Sequence, residues 1–228
     1  PDWVPDWSRK AIEQRRCELA DFTTRQGSID PKSWPISQQV DHRLIGSALA
    51  RVHWELEITR AQECNPGFYV DQTLGLLFLL LLKPPPFDEA RSRKIVKVLQ
   101  SFRQTVADAQ ENLSGKAIKP FALAATEKLV DVRTRLTKVA DELGPLLSAV
   151  SPAELQEATK EAMAALVTLH DWLNSQLAGM SEKTAVGREA YIYFLKNVAV
   201  MPLTPEQLLV MGAHEWERSV AFETCEQA

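Results

Sequence analysis

Apolar residues recur along this chain at intervals of three and four, the spacing that places side chains on one face of an α-helix. Phe121, Ala125, Leu129, Val132, Leu136, Val139 and Leu143 form one such stripe, and its near-heptad regularity predicts a long helix over 121–143. Leu155, Ala158, Ala162, Leu166, Leu169, Leu173 and Leu177 form a second stripe of similar length. The two are expected to pack as an antiparallel hairpin about Gly144-Pro145, with Ala158 and Ala162 allowing close approach at one end. Upstream, Val40, Leu44, Ala48, Val52 and Leu56 make a third stripe. Ile95, Val98, Leu99, Phe102, Val106, Ala109 and Leu113 make a fourth. No alternating apolar and polar run of useful length competes, so the pattern predicts an all-α, irregular multi-helix bundle with long antiparallel helix pairs.

Helix starts are written into the sequence. Ser151-Pro152-Ala153-Glu154 and Thr204-Pro205-Glu206-Gln207 each put a hydroxyl at the N-cap, proline at the first helical position and Glu or Gln three residues past the cap. The hydroxyl accepts an orphan backbone N–H while the Glu or Gln reaches back. Asp88, after Pro84, Pro85, Pro86 and Phe87, can cap a helix in the same way, because the prolines hold the approach extended. Turn formers mark short loops at 27–35, 64–67, 83–87, 114–115, 144–145, 179–181 and 200–204. Residues 1–228 read as one helical region, and the place where a boundary suggests itself is 83–87.

Leu74 to Leu82 is apolar except for Gly75, but a membrane-crossing helix needs about 20 such residues, so the run is expected to be a buried core helix. With 45% hydrophobic and 25% charged residues the chain belongs among ordinary globular proteins rather than disordered or membrane-embedded ones. A net charge of −4 gives no electrostatic reason to bind nucleic acid or an anionic membrane. No basic-then-apolar signal opens the chain, yet it begins Pro1-Asp2-Trp3 without methionine. Cytoplasmic residence and export with a removed signal both remain compatible.

Candidate chemistry is sparse. Cys17, Cys64 and Cys225 are far apart and odd in number, which argues against a disulfide framework and against a thiolate zinc site. His214-Glu215 resembles the start of a His-Glu-x-x-His zinc helix, but position 218 is Arg218, so an exposed helical Glu215–Arg218 pair is expected instead. His53 and Glu57 lie one turn apart with no visible third ligand, and His53 beside Val52 and Trp54 reads as a structural histidine. Asn65-Pro66-Gly67-Phe68-Tyr69 reads as a turn leading into a helix whose first aromatics plug the core. Trp3, Trp7 and Trp34 are expected to tack an irregular segment onto the bundle. No glycine-rich phosphate loop, Gly-x-Ser-x-Gly elbow or Cys/His dyad is present.

One stripe stays open to two readings. Gly187, Tyr191 and Leu195 recur every four residues, so a bare Gly187 would admit a backbone or ligand, and the Tyr191 hydroxyl would bond a substrate carbonyl or oxyanion. The alternative is close helix packing with Tyr191 anchored at the rim. Arg188 would hold a peptide carboxylate or remain a solvated charge.

The stretch from Gly187 to Arg218, with Asn65 to Val70 and Lys83-Pro84-Pro85-Pro86-Phe87, resembles the N-terminal part of the bacterial domain-of-unknown-function family 885, itself similar to gluzincin zinc metallopeptidases. The resemblance implies a protein more than twice this length, whose zinc signature of His-Glu followed by Pro-Gly-His-His lies downstream of Ala228. It therefore implies no catalytic residue and no metal ligand in this chain, with zinc belonging to the complete protein. On this reading the chain is an N-terminal helical scaffold, inactive alone, with Gly187, Arg188 and Tyr191 on one wall of a substrate cleft. Its partners would be a peptide substrate or the missing C-terminal catalytic half. A non-catalytic helical binding or scaffold protein is the alternative. The cleft reading expects an exposed apolar face, and the alternative expects the Tyr191 face to be buried.

Overall fold

A computed structural model describes residues 4–226, so Trp3 and its expected tacking role lie outside the described residues. The chain is all-α and multi-helical. Among the described residues the α-helices run in order: α1 (Arg9–Gly27), α2 (Ile36–His53), α3 (Ala61–Cys64), α4 (Pro66–Val70), α5 (Leu76–Leu81), α6 (Glu89–Leu113), α7 (Lys119–Leu129), α8 (Val132–Leu143), α9 (Pro152–Gln176), α10 (Arg188–Tyr193) and α11 (Pro205–Glu226). Three segments are widened to π-helix, Trp54–Thr59 after α2, Asp71–Gly75 between α4 and α5, and Phe194–Val198 after α10. Among the described residues the only β-type pairing is a parallel bridge between Ile118 and Ser181, and no helix is long and apolar enough to cross a membrane.

The chain forms two compact units. The first comprises Pro1–Arg15 and Arg60–Thr184, the second Arg16–Thr59 and Ala185–Ala228. Lys83–Phe87 therefore lies inside the first unit.

The first unit is built on α6 and α9, two 25-residue helices that make the most extensive helix pair in the molecule. Every member of the Ile95-to-Leu113 stripe is buried, and so is the α9 stripe from Leu155 to Leu173. The helix predicted over 121–143 is instead two. Val130 turns extended (ψ 136°) and Asp131 takes left-handed φ 57°, and the chain restarts as α8 at Val132. Asp is among the few side chains that tolerate the left-handed region, while the β-branched Val130 and Val132 are weak helix formers. The Arg135 guanidinium donates to the freed Lys128 carbonyl at 3.1 Å. The stripe survives the break, with Ala125, Leu129, Val132, Leu136 and Leu143 all buried, and α8 still packs on α9 across the Gly144–Leu146 turn. The principal partner of α9, however, is α6.

The caps form as the sequence predicts. Ser151 Oγ accepts the Glu154 N–H at 3.2 Å and Asp88 Oδ1 accepts that of Arg91 at 2.8 Å. At α11 the box is reciprocal: Thr204 Oγ1 accepts the Gln207 N–H at 3.2 Å, and Gln207 Oε1 accepts the Thr204 N–H at 2.8 Å.

The run from Leu74 to Leu82 departs from expectation. Leu77 is buried, but Phe78, Leu79 and Leu82 are exposed. A helix apolar all round needs cover on every side, and here α6 and α8 supply it on one side only.

A buried polar network ties the N-terminal segment to this unit. The fully buried Tyr69 donates its hydroxyl to the Gln62 carbonyl at 2.7 Å and accepts Asn112 Nδ2 at 2.8 Å. Asn112 also donates to the Trp7 carbonyl at 2.8 Å. The Trp7 indole N–H donates to Gln72 Oε1 at 3.1 Å, and its ring meets Phe68 edge-on at 4.6 Å. Asn65, Pro66 and Gly67 thus do make the turn, capped by Asn65 Oδ1 on the Gly67 N–H at 2.9 Å, with Tyr69 plugging the core and Trp7 tacking the leading segment.

Candidate functional site

The second unit carries all three residues singled out for a cleft. It is held by two π-widened turns that meet. The Trp54 and Phe194 rings, which open the two π segments, lie 5.1 Å apart, and His53 and Tyr193, one residue earlier on each helix, lie 5.4 Å apart. Leu56, Leu195 and Val198 are buried, and Ser47 Oγ donates to the Val198 carbonyl at 3.0 Å. Extra-wide helical turns are rare, and they recur near functional sites because they redirect side chains. Burial raises the Tyr193 hydroxyl above its usual range. His53 is therefore a packing histidine, and Glu57, one turn on, pairs with Arg16 at 3.1 Å. The His53–Tyr193 contact is invisible in sequence because it joins positions 140 apart; the dense aromatics of Tyr191-Ile192-Tyr193-Phe194 are the signal that marks one half of it.

Gly187 stands before α10 as its N-cap rather than within a helix, at φ 93° and ψ 164°. A Cβ added there would touch nothing within 4 Å, so the glycine answers a backbone requirement and not a close approach. Arg188 makes a forked ion pair with Glu206, Nε to Oε1 at 3.1 Å and Nη2 to Oε2 at 3.2 Å, while Nη1 reaches Glu189 at 3.3 Å. Glu206 raises the Arg188 pKa. The Glu206 carboxylate is held below its usual range first by its own backbone N–H and then by Arg188. Tyr191 is 41% exposed, and its hydroxyl has no partner among the described residues. One turn on, Leu195 is buried, so α10 shows Tyr191 to solvent from a packed base.

The same unit leaves much of its apolar surface bare. In α2, Ile36, Val40, Leu44, Ile45 and Val52 are exposed, and α11 buries none of its residues, leaving Leu209, Val210, Met211, Trp216, Val220 and Phe222 bare. His214 lies on this exposed helix, where Arg218 pairs with Glu215 as the spacing predicts. Cys17 and Cys225 are exposed, Cys64 is partly buried, and none of the three is in a disulfide among the described residues. Among the described residues no three His, Cys, Asp or Glu side chains converge to hold a metal ion.

Fold and sequence together define an all-α, multi-helix protein. Residues 2–222 match the model of the family described as Bacterial protein of unknown function (DUF885), and the chain belongs to that family. No curated protein and no solved structure matches the chain.

Proposed function

We propose that this chain is the helical scaffold of a zinc-dependent, peptidase-like protein and that Gly187, Arg188 and Tyr191 form part of one wall of its substrate cleft. The observation that carries the reading is Tyr191, an exposed phenol with an unpartnered hydroxyl, raised on a helix whose next turn is locked by the Trp54–Phe194 and His53–Tyr193 contacts. A hydroxyl held on a rigid base can donate to a peptide carbonyl without ordering a loop first. Arg188 has five N–H donors and spends three on Glu206 and Glu189, which leaves capacity for a peptide carboxylate. The bare faces of α2 and α11 would take apolar peptide side chains or the remainder of a longer protein. In this role the residues bind and orient, and catalysis is assigned to groups outside this chain.

Two measurements on the natural protein test the reading. An intact mass well above 25.6 kDa with about one zinc per molecule supports it, and a mass near 25.6 kDa without metal removes it. In the natural protein, Tyr191→Phe is expected to lower peptide turnover by about tenfold, the worth of one hydrogen bond to substrate, while the melting temperature stays unchanged. A large fall in melting temperature with activity per folded molecule intact would assign Tyr191 to packing.

A further inference from the structure

The second unit holds a hollow that the cleft reading does not use. It lies between α1 and α2, has a volume of about 420 Å³, and is lined by the apolar Phe22, Ile29, Trp34, Ile45 and Leu49, with Arg25 and Asp41 as the charged residues of its wall. Its walls are fixed. Gly46 lets α1 approach α2, since a Cβ there would meet Gln26 Nε2 at 3.2 Å. His42 Nε2 sits 3.1 Å from the Gln26 carbonyl and joins the two helices. Trp34 is held by Gln39 Nε2 donating to its carbonyl at 2.8 Å and by an edge-to-face contact with His42 at 5.9 Å.

Of the two charged residues in its wall, one is already paired and one is not. Arg25 pairs with Asp21 at 3.4 Å and Lys32 with Asp30 at 3.7 Å, whereas Asp41 has neither a hydrogen bond nor an ion pair among the described residues. An apolar hollow of small-molecule size with one uncompensated carboxylate calls for an apolar body bearing a positive charge, and the Trp34 face adds attraction for a cation. We propose that this hollow binds a small amphipathic amine, with the aromatic or branched aliphatic body between the helices and the ammonium group on Asp41. The inference is independent of the proposed cleft, because none of its residues belongs to α10 or α11.

The test titrates the protein with 2-phenylethylamine, 2-phenylethanol and 3-phenylpropionate, three probes of similar shape and different charge, read by calorimetry and by chemical shifts of the tryptophan indoles. Saturable binding is expected for the amine, with the alcohol weaker and the acid weakest. Asp41→Asn should weaken the amine about three- to fivefold, the range for an ion pair open to solvent, and leave the alcohol unchanged. Trp34→Ala should weaken amine and alcohol alike. Asp41 is solvent-exposed, so Asp41→Asn should keep the parent melting temperature, which separates lost binding from lost folding. Absence of saturable amine binding, equal binding of all three probes, or an Asp41→Asn variant with undiminished amine affinity would each overturn the proposal.

Discussion

The two units of this chain use the same sequence device to opposite ends. In the first, amphipathic stripes on α6, α7, α8 and α9 close on one another, and buried side chains run without interruption from Tyr69 to Leu173. In the second, α2 carries a stripe just as regular, yet Val40, Leu44 and Val52 face solvent, and α11 buries none of its residues. Among the described residues the buried side chains of that unit are few, Leu19 on α1 with Leu56, Leu195 and Val198 at the two π-widened turns. An amphipathic helix states which of its faces wants cover, and neighbouring helices decide whether cover arrives. The first unit is therefore where stability resides. The second leaves much of its apolar surface bare.

The largest effect should come from cutting the same kind of residue out of each unit. Phe102 is fully buried at the centre of α6, and Phe102→Ala should cost about 3–5 kcal/mol in denaturant unfolding. Leu44 is 59% exposed, and Leu44→Ala should change stability by no more than about 0.5 kcal/mol. A cost for Leu44→Ala above about 2 kcal/mol would break the comparison, since it would mean that the α2 face is buried in solution. A smaller effect sharpens it. Tyr69→Phe removes the hydroxyl that serves both the Gln62 carbonyl and Asn112 Nδ2 and leaves two buried polar groups short of a partner, for an expected loss of about 1–3 kcal/mol. Native-state hydrogen exchange should register that loss in the first unit, and equal loosening of α11 would contradict it.

Much of the first unit was legible because its signals are local. Ser151, Thr204 and Asp88 announce their helices through side-chain chemistry within three residues, and the stripes on α6 and α9 need only a helical period. The break at Val130-Asp131 was not legible, because a single left-handed Asp costs little and the apolar stripe continues through it without change. The Leu74 to Leu82 run misled for a related reason: its composition demands burial, but composition does not supply a neighbour for Phe78 and Leu79. At the candidate site, a tyrosine on a helical face could be read from sequence, whereas the role of Gly187 could not. Its place before α10 rather than within it depends on where the helix begins, and no cap side chain marks that start. The His53–Tyr193 contact and the Asp41 hollow rest on tertiary proximity and have no local signature.

The smallest expected effect at neutral pH concerns Asp108, a buried carboxyl on α6 in the network that ties down the N-terminal segment. Burial raises its pKa above the usual carboxylate value and outweighs the opposing hydrogen bonds from Gln104 Nε2, at 2.9 Å, and from the Trp7 backbone N–H; Asp6 and Glu111 add to the rise. An acid whose folded pKa lies above its unfolded one binds more protons when folded. The stability it confers is therefore fully present below the unfolded pKa of about 3.9 and is lost as pH rises through the folded value. Asp108→Asn keeps an oxygen to accept from Gln104 and the Trp7 N–H but cannot ionise. Its stability relative to the parent should climb with pH across that window and then hold level, as read from urea midpoints between pH 3.5 and 7.5. Other carboxylates titrate in the same range, so the difference between variant and parent is the quantity that isolates Asp108. A difference that stays flat would show that the carboxyl is solvated, and that the segment through Trp7 is held more loosely than the rest of the first unit.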